Sequence, residues 1–170
     1  MAEKRPRLKI KPRKSDKRLE IAGWAVILAS WLLVAFSYSN LPEAIPVQYD
    51  FRGAVVKWGP KLRIFLLPVL STVLFLGISL LNRYPHHMNY PVNITRDNAF
   101  RHYTIAARFN RYVKLLLALI FFIIALRTIE IAYGHSGQLG FWSLPIILVI
   151  FVTPMTTLLI YLFKKEKPFS

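Results

Sequence analysis

Apolar and polar positions fall in long blocks along this chain. Four apolar runs, residues 21–38, 62–81, 113–132 and 141–163, are separated by polar stretches. Each is close to the ~20 residues that a helix needs to cross a hydrocarbon core of ~30 Å. Four transmembrane helices are therefore expected. The first run carries no charge, and its Ala22, Ala25 and Ala29 lie at helical spacing. Small residues so placed are expected to let a neighbouring helix approach closely, as are Gly77 and Ser79 in the second run. Pro68 is expected to kink the second helix by freeing the carbonyl of Ile64. Pro145 and Pro154 interrupt the fourth, where Thr153, Thr156 and Thr157 can satisfy loosened backbone groups. The third run has Lys114 at its start and Arg127 and Glu130 near its end.

The stretch between the first two runs, residues 39–61, has a different period. Pro42, Pro46 and Pro60 exclude regular helix through most of it. Ile45, Val47, Tyr49 and Phe51 alternate with other residues, which is the repeat of a strand. Arg52-Gly53 offers a turn, after which residues 54–58 can return as a second strand. A two-stranded hairpin is marginal alone, so this loop is expected to pack on helix ends or on a partner.

Residues 82–112 form the second polar region. Thr95 is expected to cap a helix that starts at Arg96. On that helix Asp97, Arg101, Thr104, Arg108 and Arg111 share one face, with Ala99, Tyr103, Ala106 and Val113 roughly opposite. The pattern is that of a basic amphipathic helix running into the third span.

Composition and charge then set the orientation. Hydrophobic residues make up 55 % of the 170-residue chain, too many for an ordinary soluble domain. The net charge of +15 is concentrated beside the apolar runs. Residues 1–20, residues 82–114 and the tail after residue 163 hold 18 cations, whereas the first loop with Arg63 holds 4. The positive-inside rule places both termini and the 82–112 loop in the cytoplasm. The fold expected is an all-α integral membrane protein of four transmembrane helices, with a short ordered outer loop of hairpin period. Pro6 and Pro12 argue against helix in the basic head. That head reads as a disordered tail that fixes orientation and meets anionic lipids at the cytoplasmic face; no nucleic-acid partner is expected. The first apolar run is too long for a signal-peptide core and lacks a cleavage site. With no cysteine, there is neither a disulfide framework nor a thiolate site.

Little of the chain points to chemistry. Arg127 and Glu130 are three apart on one helix and can pair. Ionisable groups at membrane depth are functional candidates by default. Two readings stand: a structural ion pair tying the third span to the first loop, or a polar pocket shared with Glu43, Asp50 or Arg63. His86-His87, with His102 nearby, reads as an interfacial pair, since adjacent histidines do not share a helix face and no suitably spaced acid or cysteine completes a metal site. Asn93-Ile94-Thr95 matches a glycosylation sequon on the side where glycosylation does not occur. No nucleophile–base pair, phosphate loop or dinucleotide fingerprint is present, so no enzymatic activity, cofactor or metal is expected.

The residues of the first loop carry a resemblance. Leu41-Pro42, Ile45-Pro46, Gln48-Tyr49-Asp50, Gly53, Trp58-Gly59 and Lys61 resemble the pattern of the domain of unknown function that opens SdpI-type bacterial membrane proteins. A second patch, Asn89-Tyr90-Pro91-Val92 with Thr95, Asn98-Ala99 and Tyr103, is similar to the segment that follows in small relatives. Gln48 stands where that pattern has His, and Asp50 where it has Asn. The resemblance implies a bacterial inner-membrane protein of the immunity or signalling kind, its outer loop meeting a peptide or protein. Gln48, Tyr49, Asp50, Arg52, Trp58 and Lys61 are the partner-binding candidates there. Arg101, Arg108 and Arg111 are the candidates for a cytoplasmic basic face. Two other readings stay open: an accessory subunit of a larger membrane complex, and a small transporter using Arg127 and Glu130.

Overall fold

The computed structural model describes residues 5–8, 10–50, 52–90 and 93–135, together with Val152 and Thr156. The elements in order are α1 (Lys14–Tyr38), β1 (Ala44–Tyr49), β2 (Val55–Pro60), a 3-10 segment (Lys61–Phe65), α2 (Leu66–Leu81), a second 3-10 turn (Pro85–His87) and α3 (Ala99–Ala132). Three helical stretches, Lys14–Tyr38, Lys61–Leu81 and Ala99–Ala132, are long and apolar enough to cross a membrane. The fourth span expected at 141–163 lies outside the described residues. Within it only Val152 and Thr156 are described, both helical, the Thr156 hydroxyl donating to the Val152 carbonyl at 3.0 Å.

The first helix starts earlier than the sequence suggests, inside the basic head. Pro12 lies ahead of the helix, where its missing N–H costs nothing. The Arg13 N–H donates to Asp16 Oδ2 at 2.8 Å, which satisfies one group at the helix start. Residues 5–8 and 10–13 lie against the bundle as well, a second departure from a disordered tail. Leu8 and Ile10 pack on Ile94, Ala99 and Tyr103. Arg5 donates to the Met88 carbonyl at 2.8 Å.

Pro68 is the third residue of α2 rather than a residue of its interior. A 3-10 segment leads into the helix, and the Leu66 N–H takes up the carbonyls of Arg63 and Ile64. A carbonyl that Pro68 cannot serve therefore still has a donor. The third helix begins at Ala99 and not at Arg96. Asn98 organises that start: its Oδ1 accepts the Thr95 N–H at 2.9 Å, and its Nδ2 donates to the Asn93 carbonyl at 3.0 Å.

Each helix buries a seam with steps of three and four, the repeat of close helix packing. On α1 the seam is Gly23, Ile27, Ser30 and Val34. On the second span it is Ile64, Pro68, Ser71 and Phe75. On α3 it runs through Ala107, Arg111, Lys114, Ala118, Ala125 and Thr128. Ala22, Ala25 and Ala29 turn outward instead, and a Cβ at Gly77 would meet nothing. The close approach is made at Gly23, where a Cβ would collide with Phe75 Cε2. α3 is the central helix, packed on both α1 and α2. It runs parallel to α1, since Glu20 meets Lys114 at one end and Val34 joins Ala125 in one cluster further along.

Two apolar layers fill the seam. Ile27, Phe75 and Ala118 form one, and Val34, Leu41, Ile45, Ile64, Ala125 and Ile129 form the other. The second layer includes the hairpin, which is how a two-stranded sheet holds its shape here. β1 pairs antiparallel with β2, Ile45 opposite Gly59 and Pro46 opposite Trp58. The register then skips Val47, resumes with Gln48 opposite Lys57, and shifts again to Tyr49 opposite Val55. Both expected strands form, but these bulges interrupt the simple alternation; Phe51 lies outside the described residues.

Candidate functional site

The turn of the hairpin is built by Asp50. Its Oδ1 accepts the N–H groups of Arg52 and Ala54, both at 2.8 Å, and its own N–H donates to the Ala54 carbonyl at 2.9 Å. Gly53 takes φ 79°, the left-handed region that the turn requires. An asparagine at position 50 offers the same acceptor oxygen, so the Asp-for-Asn departure leaves the turn chemistry intact.

Three of the six loop candidates serve the hairpin itself. Tyr49 reaches α3, its hydroxyl 2.8 Å from Thr128 Oγ1. Burial pushes the Tyr49 phenol up, with the Thr128 bond opposing. Asp50 is spent on the turn. Lys61 closes the base of the loop: its N–H donates to the Glu43 carbonyl at 3.0 Å, and its Nζ pairs with the Glu43 carboxylate at 2.9 Å. That ammonium also lies 5.3 Å from the Tyr38 ring centroid, a cation–π distance. Gln48, Arg52 and Trp58 are exposed. Trp58 is 52 % exposed, Val56 60 % and Leu62 65 %. Lys57 and Arg63 are exposed as well. Along β2 and the segment after it, exposed aromatic and aliphatic residues thus alternate with cations.

Arg127 and Glu130 pair with each other along one face of α3. Tyr49 and Thr128 tie the third span to the loop.

A second polar site sits at the other end of the bundle, and the sequence pattern did not single it out. Asp16 and Glu20 are one turn apart on α1, and Arg108, Arg111 and Lys114 lie at steps of three on α3. Arg108 Nε is 3.4 Å from Asp16 Oδ1, and Arg111 reaches Asp16 at 3.8 Å and Glu20 at 3.3 Å. Lys114, 1 % exposed, donates to Glu20 Oε2 and to Ser79 Oγ. Its Nζ also lies 4.2 Å from the Phe75 ring centroid. Two oxygen acceptors and a π face engage the three donors of an ammonium. Asn110 donates to Asn82 Oδ1 at 3.0 Å alongside.

Two of the three residues expected on a cytoplasmic basic face, Arg108 and Arg111, thus turn toward the acids of α1. Arg101 remains exposed. The amphipathic pattern separates charged from apolar positions, but only the neighbouring helix decides that a charged stripe faces inward. The signal was present as two matching stripes, Asp16 with Glu20 and Arg108 with Arg111 and Lys114. Their partners are settled by packing, not by spacing within either helix. This network is suited to locking helices together, because every member answers an opposite charge.

Among the described residues no group of three or more His, Cys, Asp or Glu side chains is placed to hold an ion. His86 and His87 stack on each other at 4.2 Å and flank Tyr84. The His86 imidazole is pushed down by burial, helped by His87 and Arg7.

Over residues 25–72 the chain matches a family described as a domain of unknown function (DUF1648). That stretch contains most of α1, the whole hairpin and the first part of α2. The chain is also similar to an uncharacterized protein of Archaeoglobus fulgidus, with 26 % identity over 157 residues. That alignment covers 85 % of this chain and 84 % of the archaeal protein. No solved structure matches.

Proposed function

We propose that this chain is a non-enzymatic protein of the cytoplasmic membrane that binds a peptide or protein partner through the exposed side of its hairpin, in the manner of SdpI-type immunity and signalling proteins. The observation that carries the reading is the division of labour within the hairpin. Tyr49 ties it to Thr128 of α3, Asp50 builds its turn and Lys61 closes its base, while Trp58, Val56 and Lys57 are left exposed on that frame. A rigid platform presenting an aromatic anchor is what a binding surface needs. In this reading the hairpin lies outside, the basic end faces the cytoplasm, and residues 141–163 cross once more to return the C-terminus inside. The apolar layers around Phe75 and Val34 occupy the seam where a transport path would run, which favours binding over transport.

The accessory-subunit reading has its own observation. Ala22, Ala25 and Ala29 face outward on α1, free of the described bundle, as a surface on which another membrane helix could seat. Photo-activated cross-linkers placed singly at positions 58 and 25 in cells separate the two. Discrete adducts from position 58, lost on Lys57→Glu, support hairpin recognition. Adducts from position 25 alone support the subunit reading and overturn the first.

A further inference from the structure

We infer that the N-terminal strap, described at residues 5–8 and 10–13, is a latch that exchanges between a groove on this protein and the surface of an anionic bilayer. In the closed position Leu8 and Ile10 lie in a groove of Tyr90, Ile94, Ala99 and Tyr103. Arg5 anchors the far end on the carbonyls of Met88 and His86 and lies 5.9 Å from the Tyr90 ring centroid. The hold is partial: Leu8 and Ile10 are only half-buried, and Arg5 is exposed. Beneath the strap the Tyr103 hydroxyl is buried without a hydrogen-bond partner. The groove is thus covered by its own strap but not fully satisfied by it.

Charge gives the strap a second place to go. Arg7, Lys11 and Arg13 of the strap are exposed, and the two acids of α1 are turned away from them onto Arg108, Arg111 and Lys114. Cations gathered on one short segment are drawn to an anionic surface.

Position completes the argument. The groove sits at the start of α3, and Lys114 marks the level where the charge-free seam begins. The helix between them rises on the order of 20 Å. That height exceeds the Debye length of about 8 Å at physiological salt, so the cations at the far end of the strap, Arg5 and Arg7, interact weakly with the headgroups. Released, the strap remains tethered at Lys14, on the membrane side of the groove, and can lay its cations on the lipid. Zwitterionic lipid then favours the groove, and anionic lipid favours release. This inference is independent of the partner proposed for the hairpin.

The chain has no cysteine, so two can be introduced cleanly. Spin labels at Arg7→Cys and Asn89→Cys, in the full chain in nanodiscs, report strap against groove. In phosphatidylcholine a single short separation is expected. Phosphatidylglycerol is expected to populate a second separation longer by on the order of 10 Å, and high salt to reverse it. Leu8→Asp with Ile10→Asp should give the long separation in either lipid. The same short separation in both lipids, with the Asp pair opening it, overturns the lipid exchange. A long separation of the unaltered strap in phosphatidylcholine overturns the closed state.

Discussion

Lys114 on α3 is held by Glu20 on α1 at the level where all three described helices meet, with Ser79 of α2 as its other oxygen partner. Breaking a buried pair from one side leaves an uncompensated charge, which costs about 3–5 kcal/mol. Glu20 is partly exposed, which reduces that cost when Lys114 is the residue removed. Lys114→Met is therefore expected to destabilise by less than Glu20→Gln, which strands the buried ammonium. The double variant should cost clearly less than the sum of the two. Thermal unfolding of all four proteins in one detergent checks this, and strict additivity would show that the pair is not coupled.

Gly23 gives Phe75 the room to lie beneath Lys114. The ring is 1 % exposed, meets Trp24 edge-on at 5.0 Å between centroids, and carries the ammonium on its face. It has no free direction in which to yield. Gly23→Ala is expected to cost about 1–3 kcal/mol through overpacking. Phe75→Leu in the same chain should recover part of that loss, although Phe75→Leu alone destabilises. Failure of the pair to show this opposite coupling would place the strain elsewhere.

Tyr49 and Thr128 join the hairpin to the bundle. Tyr49→Phe removes one hydrogen bond and is expected to cost about 1 kcal/mol. The effect should be local, with faster amide exchange in β1 and β2 and little change at Phe75. Asp50→Ala should loosen the turn in the same assay, while Asp50→Asn should leave it near the original, because the amide oxygen can accept the same two N–H groups.

Burial raises the Tyr90 phenol to about 12, with Tyr103 adding to the shift and Arg5 opposing it. The protonated form is thus favoured in the fold relative to an unfolded tyrosine near 10. The stability it contributes is complete below about pH 10 and is lost as pH rises toward 12. An ultraviolet difference titration against a Tyr90→Phe variant is expected to assign the late phenolate step to this residue. Opening the strap with Leu8→Asp and Ile10→Asp should move that step down toward 10, since burial is the larger cause.

The apolar runs are legible without any structure, because hydrocarbon selects length and polarity one segment at a time. The hairpin is legible for a related reason: Pro42, Pro46, the alternation from Ile45 and the Arg52-Gly53 turn act within a few residues of one another. Helix ends are less so. Asp16 and Asn98 start α1 and α3 through contacts that compete with other reasonable caps, such as Thr95. Facing is decided only between elements. An alanine stripe on α1 and a basic stripe on α3 each look like packing and solvent faces in isolation. The bundle instead buries Gly23 against Phe75 and turns Arg108, Arg111 and Lys114 onto Asp16 and Glu20. Residues distant in sequence must meet before a charge has a partner or a ring has a wall. The sequence by itself thus determined which segments are apolar and where the chain turns. The tertiary structure decided which charges are paired, which surface of the hairpin is left outward, and that the basic head folds back as a strap.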